Sequence, residues 1–447
     1  MNEMKTLTLN GQKYDCFVDG VARSMASWSA VIGSAAGENI AVSDASNYNL
    51  QGLRIFGKTT QNGTPTPDAP VDLVSVGDNG SINVSVCGKN LWDHTNDTVD
   101  MSSMSDWGND IWRNAAVVKT LKPKTTYTMK CKVTCLSVPD YASVYSDQCG
   151  FVLYTSQGSE KNTLMAIDIG KGALVAGQQR ILNGTFTTPE NISDVSKNYR
   201  ILYYTQRFLQ EDGTAVYARI RVDDVQLEIG STASDYVPYT SQKLSISTPN
   251  GLPSVPVESG GNYTDANGQQ WVCDEIDFAR GVYIRRTLAI ISDGSIQFQY
   301  QSVNANGIAN FYCTLPYKVR NDISLSSSLT KQNTTIADTS GEGYMVSNST
   351  TTSTLYIRVS RERASTAEEF NALLVDNPVE FLFALETPIE TPLSEEELAA
   401  YAALHTYKNH TTVSNDAGAY MELEYVMDAK KYIDSKISAG IIEATLE

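Results

Sequence analysis

The sequence predicts a mainly β protein, made of several β-sandwich or jelly-roll modules with short C-terminal helices. Three observations carry this. Apolar residues alternate with polar ones in short runs, punctuated by Gly, Pro and Asn-Gly, the pattern of half-buried strands and hairpins. The 24 tyrosines and the abundance of Thr, Ser, Asn and Gly favour strands and turns over helices. Well-marked helix starts occur only late in the chain. At 447 residues there is room for several domains, and 41% hydrophobic content is enough for packed cores.

Residues 1–48 form an N-terminal anchor segment. Leu7–Tyr14 reads as a hairpin around Asn10-Gly11, and Asp19 to Trp28 as a short helix. The segment is too short for a domain of its own. It is an anchor or crossover to a neighbour, or a strand added to the next sheet. Residues 49–88 are the organising strands: Leu53–Phe56, Val71–Val76 and, after the turn Asp78-Asn79-Gly80, Ile82–Val86. Pro65, Pro67 and Pro70 have no N–H to give a sheet, so the linker holding them runs extended along an edge.

Residues 89–240 change character, with more Trp and Tyr and longer runs. Thr125–Val133 places Tyr127, Met129, Cys131 and Val133 on one face. Phe151–Tyr154, Leu164–Ile169, Arg180–Phe186 and Tyr199–Phe208 are further strands. In Ala215–Ile229 the apolar side is kept only if the phase shifts by one at Asp223-Asp224, which predicts a β-bulge, or two strands meeting at a bend.

At Leu244 the first character returns, with Leu244–Val257 a partner for the Leu53–Pro70 stretch. Trp271–Phe278 and Gly281–Arg285 add strands. Residues 49–88 and 241–290 therefore read as one discontinuous β-module, with 89–240 inserted as a compact guest. Residues 291–393 are a second β-rich module with strands Ser295–Tyr300, Ala309–Thr314 and Thr354–Val359. Its one helix starts at the capping box Thr366–Glu369 and stops at Asn377-Pro378, before strand Val379–Leu385. Residues 394–447 read as helix-strand-helix. A second capping box spans Ser394–Glu397, Tyr420–Val426 alternates, and 428–446 is an amphipathic helix with Tyr432, Ile433, Ile437, Ile441 and Leu446 on one face. That last helix packs in a trimeric bundle or docks on its own β-domain.

A formal charge of −17 argues against nucleic acid, whose phosphates need clustered Lys/Arg. No run approaches the roughly 20 apolar residues of a membrane span, and the polar Met1–Asn10 is not followed by the apolar core of a signal peptide. Membrane insertion is not expected. The seven cysteines are scattered and include no Cys-x-x-Cys, which fits free thiols made in a reducing cytoplasm. A zinc site at Cys131, Cys135 and Cys149 is the sharper reading of that trio; buried small apolar side chains are the plainer one.

No catalytic constellation stands out, so no enzyme and no cofactor are expected. His94, His405 and His410 occupy no metal- or nucleophile-binding pattern. Asp223 or Asp224 is a candidate ligand for a structural calcium ion, with plain bulge residues as the alternative. The 89–240 block offers a binding chemistry instead. Exposed rings stack on the C–H faces of sugars while polar side chains bond the hydroxyls. Trp107, set between Asp106 and Gly108, is the ring expected to be most exposed, whereas Trp112 and Tyr203 suit a core. The candidate carbohydrate-binding set is Trp107, Asp106, Asn109, Tyr141, Tyr145, Tyr204 and Arg207.

Four stretches carry a family resemblance: Gly57-Lys-Thr-Thr-Gln-Asn-Gly-Thr-Pro-Thr-Pro-Asp-Ala-Pro70, Gln226–Tyr239, Gly260–Gly281 and Leu385–Leu393. Together they resemble tail and baseplate minor structural proteins, receptor-binding or tail-fibre-like, of phages and prophages of Gram-positive bacteria. The resemblance implies a virion tail protein made in the bacterial cytoplasm and homo-oligomeric, with a trimer preferred. It also implies other tail or baseplate proteins and a host-surface glycan as partners. The 89–240 block resembles the jelly-roll carbohydrate-binding modules that such proteins carry as inserts. The matched residues, Val225–Tyr236, belong to that module's scaffold, so they assign no sugar-binding residue. Two rival readings are a purely structural scaffold or adaptor and a cell-wall or capsule depolymerase.

Overall fold

The computed structural model describes residues 3–9, 12–18, 32–42, 45–46, 48–92, 121, 124–146, 150–157, 160–168, 174–188, 198–332, 341–407, 410–427 and 444–446. The chain is mainly β, in antiparallel sheets with two short helices. Its body is organised by two sheets. A four-stranded sheet runs in the order Ser241–Thr248, Gly80–Cys87, Thr411–Asn415, Asn39–Val42. A seven-stranded sheet runs Val319–Ser326, Val379–Pro392, Val282–Ser292, Glu275–Asp277, Gln51–Phe56, Tyr420–Val426, Ile32–Gly37.

Alternation explains what they bury. Ile82, Val84 and Val86 point inward from one sheet, as do Leu53, Ile55, Met421 and Leu423 from the other, and all share one core with Leu244, Ile246 and Ile276. Burying each such side chain is worth about 1.5–3 kcal/mol relative to exposure.

The far end of the seven-stranded sheet serves a second core. There a four-stranded sheet (Gln299–Val303, Ile308–Thr314, Ser353–Ser360, Gly343–Asn348) packs with helix α1 (Ala367–Asp376). Thr366 caps α1 with both halves of the predicted box present. Phe370 of α1 stacks on Phe311 at 4.1 Å and meets Phe298 edge-on. Helix α2 (Glu395–Ala402) starts at Ser394 with its own capping box.

Several expectations need correction. Strand Val282–Ser292 runs through both cores, so the chain has no boundary at 290/291. Residues 394–447 are not a separate C-terminal piece. Thr411–Asn415 and Tyr420–Val426 are interior strands of the two body sheets, and two strands of the N-terminal segment close the sheet edges. Strand addition is thus the reading that holds for residues 32–42. Ala444–Leu446 is a strand paired with Leu7–Leu9, not the end of a helix. The rest of that predicted helix, and the predicted helix Asp19 to Trp28, lie outside the described residues. The N-terminal hairpin is present, with Leu9 opposite Gln12.

The Val71–Val76 run forms a strand only at Val74–Ser75, because Val71 N–H bonds instead Ser327 O, just after strand Val319–Ser326. Trp271–Phe278 splits at Asp274, whose N–H bonds Pro253 O while its carbonyl accepts from Gly57 N–H. Ser295–Phe298 is not strand, since Asn371 of α1 bonds both the N–H and the C=O of Phe298. Ser241–Thr248 pairs with Gly80–Cys87 and not with Gln51–Phe56. Its continuation does reach the Leu53–Pro70 stretch: Thr59 and Ser254 exchange two hydrogen bonds of 2.9 Å.

Among the described residues the 89–240 block is built of three antiparallel sheets. One is Gln179–Thr187, Thr126–Ser137, Arg219–Ile229. A second is Glu160–Asp168, Gly150–Gln157, Asn198–Tyr204, and a third, smaller one is Ser143–Ser146, Arg207–Leu209, Ala215–Tyr217. Tyr127, Met129, Cys131 and Val133 are buried together as predicted, with Ile220, Val222, Leu227 and Phe208. The phase shift at Asp223-Asp224 is a bulge: the register against Thr126–Ser137 slips there, and Asp224 takes φ +53°. Residues 93–120, which any jelly-roll connectivity would involve, lie outside the described residues.

Candidate functional site

The chain leaves the body at Gly88 and returns at Thr240. Gly88 N–H bonds Thr240 O at 3.0 Å, one step beyond the Cys87/Ser241 pair of the body ladder. The inserted block therefore sits where a hairpin turn would be. A buried polar clasp closes its base. Asn90 Nδ2 donates to Val225 O and Val237 O, and its Oδ1 accepts from Trp92 N–H and Leu227 N–H. Gln226 and Glu228, on the outer face of their strand, are covered by the 230–239 segment. Glu228 accepts from Ser234 N–H (2.7 Å), Ser234 Oγ (2.8 Å) and Gln226 Nε2 (3.0 Å), and pairs with Lys89 at 3.1 Å. Burial works against the Glu228 charge, but these donors outweigh it and hold the carboxyl below its ordinary value. The Gln226–Tyr239 stretch is thus a structural clasp.

Gly260–Gly281 is also structural. Asp265 accepts from Asn267 N–H, Gln269 N–H and Trp271 Nε1, closing a turn. Asp274, which is buried, accepts from Arg286 N–H, Thr287 N–H and Tyr283 Oη, each at 2.8 Å. Burial raises its carboxyl to about 6 despite these donors. Glu275 beside it pairs with Arg286 at 3.0 Å.

The exposed chemistry lies elsewhere, on the small sheet of the insert. Tyr145 is 61% exposed, and the Arg207 guanidinium lies 4.3 Å from its ring centre. Ser146 pairs with Arg207 across the ladder, and a register slip between Val144 and Ser146 turns Tyr145 outward. Tyr141, 42% exposed, stacks on the buried Phe208 at 4.4 Å. Val144 between them is exposed too. Arg207 Nε is buried without a hydrogen-bond partner. Among the described residues no carboxylate pairs with Arg207.

Three of the seven predicted carbohydrate-binding residues, Tyr141, Tyr145 and Arg207, therefore come together on one sheet. Tyr204 lies in the adjoining strand Asn198–Tyr204. Trp107, Asp106 and Asn109 lie outside the described residues. Val144 was missed, since an isolated valine in an alternating run carries no signal of exposure.

Asp224 pairs with Lys132 at 2.6 Å and Asp223 with Arg221 at 2.7 Å, so both bulge carboxylates face cations. Among the described residues no group of three or more His, Cys, Asp or Glu is placed to hold a metal ion. Cys131 and Cys135 are buried; Cys149 lies outside the described residues. No helix among the described residues is long and apolar enough to cross a membrane. Surface clefts of the body include two that contain charged residues. One, of about 550 Å³, is lined by Arg54, Asp277, Glu422 and Glu424 among others, and there Arg54 already bonds Glu422. The other, of about 280 Å³, contains Lys58, which is paired with Glu38 at 2.6 Å.

No protein-family model and no curated protein matches this chain. Among solved structures, the tripod from the baseplate of bacteriophage Tuc2009 aligns at 17% identity over 64% of this chain and 91% of that one, with a TM-score of 0.21. A structure of infectious bursal disease virus, Gx strain, aligns at 6% identity over 92% and 91%, with a TM-score of 0.11. Superpositions this loose carry no argument about role.

Proposed function

We propose that this chain is a non-catalytic structural protein of a phage tail tip or baseplate, which contributes to host-surface glycan recognition through the inserted 89–240 block. The setting is supported by the four sequence stretches that resemble tail and baseplate proteins. The binding role is carried by one observation: Tyr141, Tyr145 and Arg207 share a sheet, the two rings are exposed, and among the described residues the cation has no carboxylate partner. Rings of this kind stack on sugars at about 1 kcal/mol each, so one site binds weakly. Several copies on one tail, as a trimer or higher cyclic assembly beside other baseplate proteins, would turn weak contacts into firm adhesion.

The rival reading is a scaffold in which the insert is only a spacer. Host-cell adsorption of purified oligomer separates the two. Replacing residues 89–239 by a two-residue turn between Gly88 and Thr240 should leave a folded body that no longer adsorbs. Adsorption at the wild-type level would reject the binding role. Trp107→Ala extends the test to the aromatic residue that the sequence singles out. Loss of adsorption without loss of thermal stability is the expected result.

A further inference from the structure

We infer that the saccharide bound at the Tyr141–Tyr145–Arg207 sheet is anionic, carrying a phosphate or a carboxylate. This rests on the reading of the insert as a glycan-binding module and narrows the class of ligand.

The argument starts from charge. The chain carries 51 acidic against 34 basic residues, so a carboxylate is a common neighbour for an exposed cation. Arg54, Arg221, Arg280, Arg286, Arg320 and Arg363 are all so paired. Among the described residues Arg207 is not. Asp140 and the Glu211-Asp212 turn lie toward the Leu209 end of the small sheet, where Ala142 bonds Leu209 and Gly213 bonds Gln210. Arg207 is at the other end, opposite Ser146.

Among the described residues its side chain lies on the face of Tyr145. That contact fixes the plane of the guanidinium but satisfies none of its N–H donors. A planar fork whose donors have no partner among the described residues matches the paired oxygens of a carboxylate or phosphate, and such bonds are stronger than those to neutral hydroxyls. The flanking Tyr141 and Tyr145 rings supply the apolar surface that a sugar ring needs. A neutral saccharide would use the rings and leave the fork only weak acceptors.

Arg285 provides a matched comparison on the body. It lies over Tyr317 at 4.8 Å, and its Nε is also buried without a partner. If an arginine on a ring were enough, both pairs would bind; if the flanking exposed rings matter, only Arg207 will.

The test is calorimetric and salt-dependent binding of the full chain to three probes: oligomers of glycerol phosphate, oligosaccharides of glucuronic acid, and neutral glucose oligosaccharides of equal length. At least one anionic probe should bind, weakening as salt rises. Arg207→Gln should lower that affinity about tenfold, the loss of one charge-assisted hydrogen bond. Arg207→Lys should retain part of it, and Arg285→Gln should change nothing. Thermal unfolding of each variant checks the fold. Binding of neutral probes only, abolished by Tyr145→Ala and untouched by Arg207→Gln, would overturn the anionic inference while leaving the glycan-binding reading intact. No binding of any probe, together with wild-type adsorption by Tyr145→Ala and Arg207→Gln, would overturn both.

Discussion

Arg286 and Arg207 carry the same guanidinium into opposite situations. Arg286 lies in the body, paired with Glu275, while its backbone N–H bonds the buried Asp274. Arg207 lies on the small sheet of the insert, over an exposed ring and, among the described residues, with no carboxylate partner. The contrast separates two uses of polar residues in a β protein. Where charges close on each other inside, they fix which strands meet, because a buried charge left alone is costly. Where a cation is left open beside exposed rings, the fold gains little from it, and a ligand is its natural partner.

The strongest test of this contrast removes each region's core. Phe311→Ala in the body and Phe208→Ala in the insert should each cost about 3–5 kcal/mol. Because the two residues belong to separate cores, calorimetry should show each variant lowering one unfolding transition and leaving the other in place. A single shared transition would show that body and insert unfold as one unit.

Next in size is the clasp. Asn90→Ala strips hydrogen bonds from buried backbone groups at Val225 and Leu227, and should destabilise the insert by about 2–4 kcal/mol. Chemical denaturation monitored in the insert reads this. A change under about 0.5 kcal/mol, within the range of ordinary surface substitutions, would mean that the clasp is dispensable.

The third test is pH. The folded Asp274 carboxyl sits at about 6, above its unfolded value, so its stabilising contribution is full at low pH and is lost as pH rises through 6. The body should be more stable near pH 5 than at pH 7, with a full swing on the order of 2–3 kcal/mol. Asp274→Asn should flatten that slope. Glu228 behaves oppositely: its folded carboxyl is held low, so its contribution persists at neutral pH and is lost only as acid protonates it. A body that gains stability between pH 5 and 7 would contradict the Asp274 assignment.

The smallest stability effect is expected on the small sheet of the insert. Tyr145→Ala should change unfolding by no more than about 0.5 kcal/mol, as exposed positions do, while reducing adsorption. A large loss of stability would mean that Tyr145 is a packing residue and not part of a binding surface.

Much of the local structure was legible in the residues. The capping boxes at Thr366 and Ser394 mark helix starts because the side chains that satisfy the first N–H groups are local. The bulge at Asp223-Asp224 shows as a slip in a period of two, again a local signal. The candidate site was half legible. Tyr141, Tyr145 and Arg207 are apt residue types, but nothing in their spacing says that a ladder brings residue 146 opposite residue 207.

By itself, then, the sequence determined that this is a β protein, where most strands run, which side of each is apolar, and where two helices begin. All of these follow from contacts within a few residues. Only the tertiary structure decided partnership. Gly80–Cys87 lies between Ser241–Thr248 and Thr411–Asn415, and Gln51–Phe56 lies between Glu275–Asp277 and Tyr420–Val426. Alternation names the face a strand buries, but any strand with a matching face satisfies it equally well. The choice falls to long-range packing and to buried nodes such as Asp274, whose backbone carbonyl accepts from Gly57 N–H, far away in the chain.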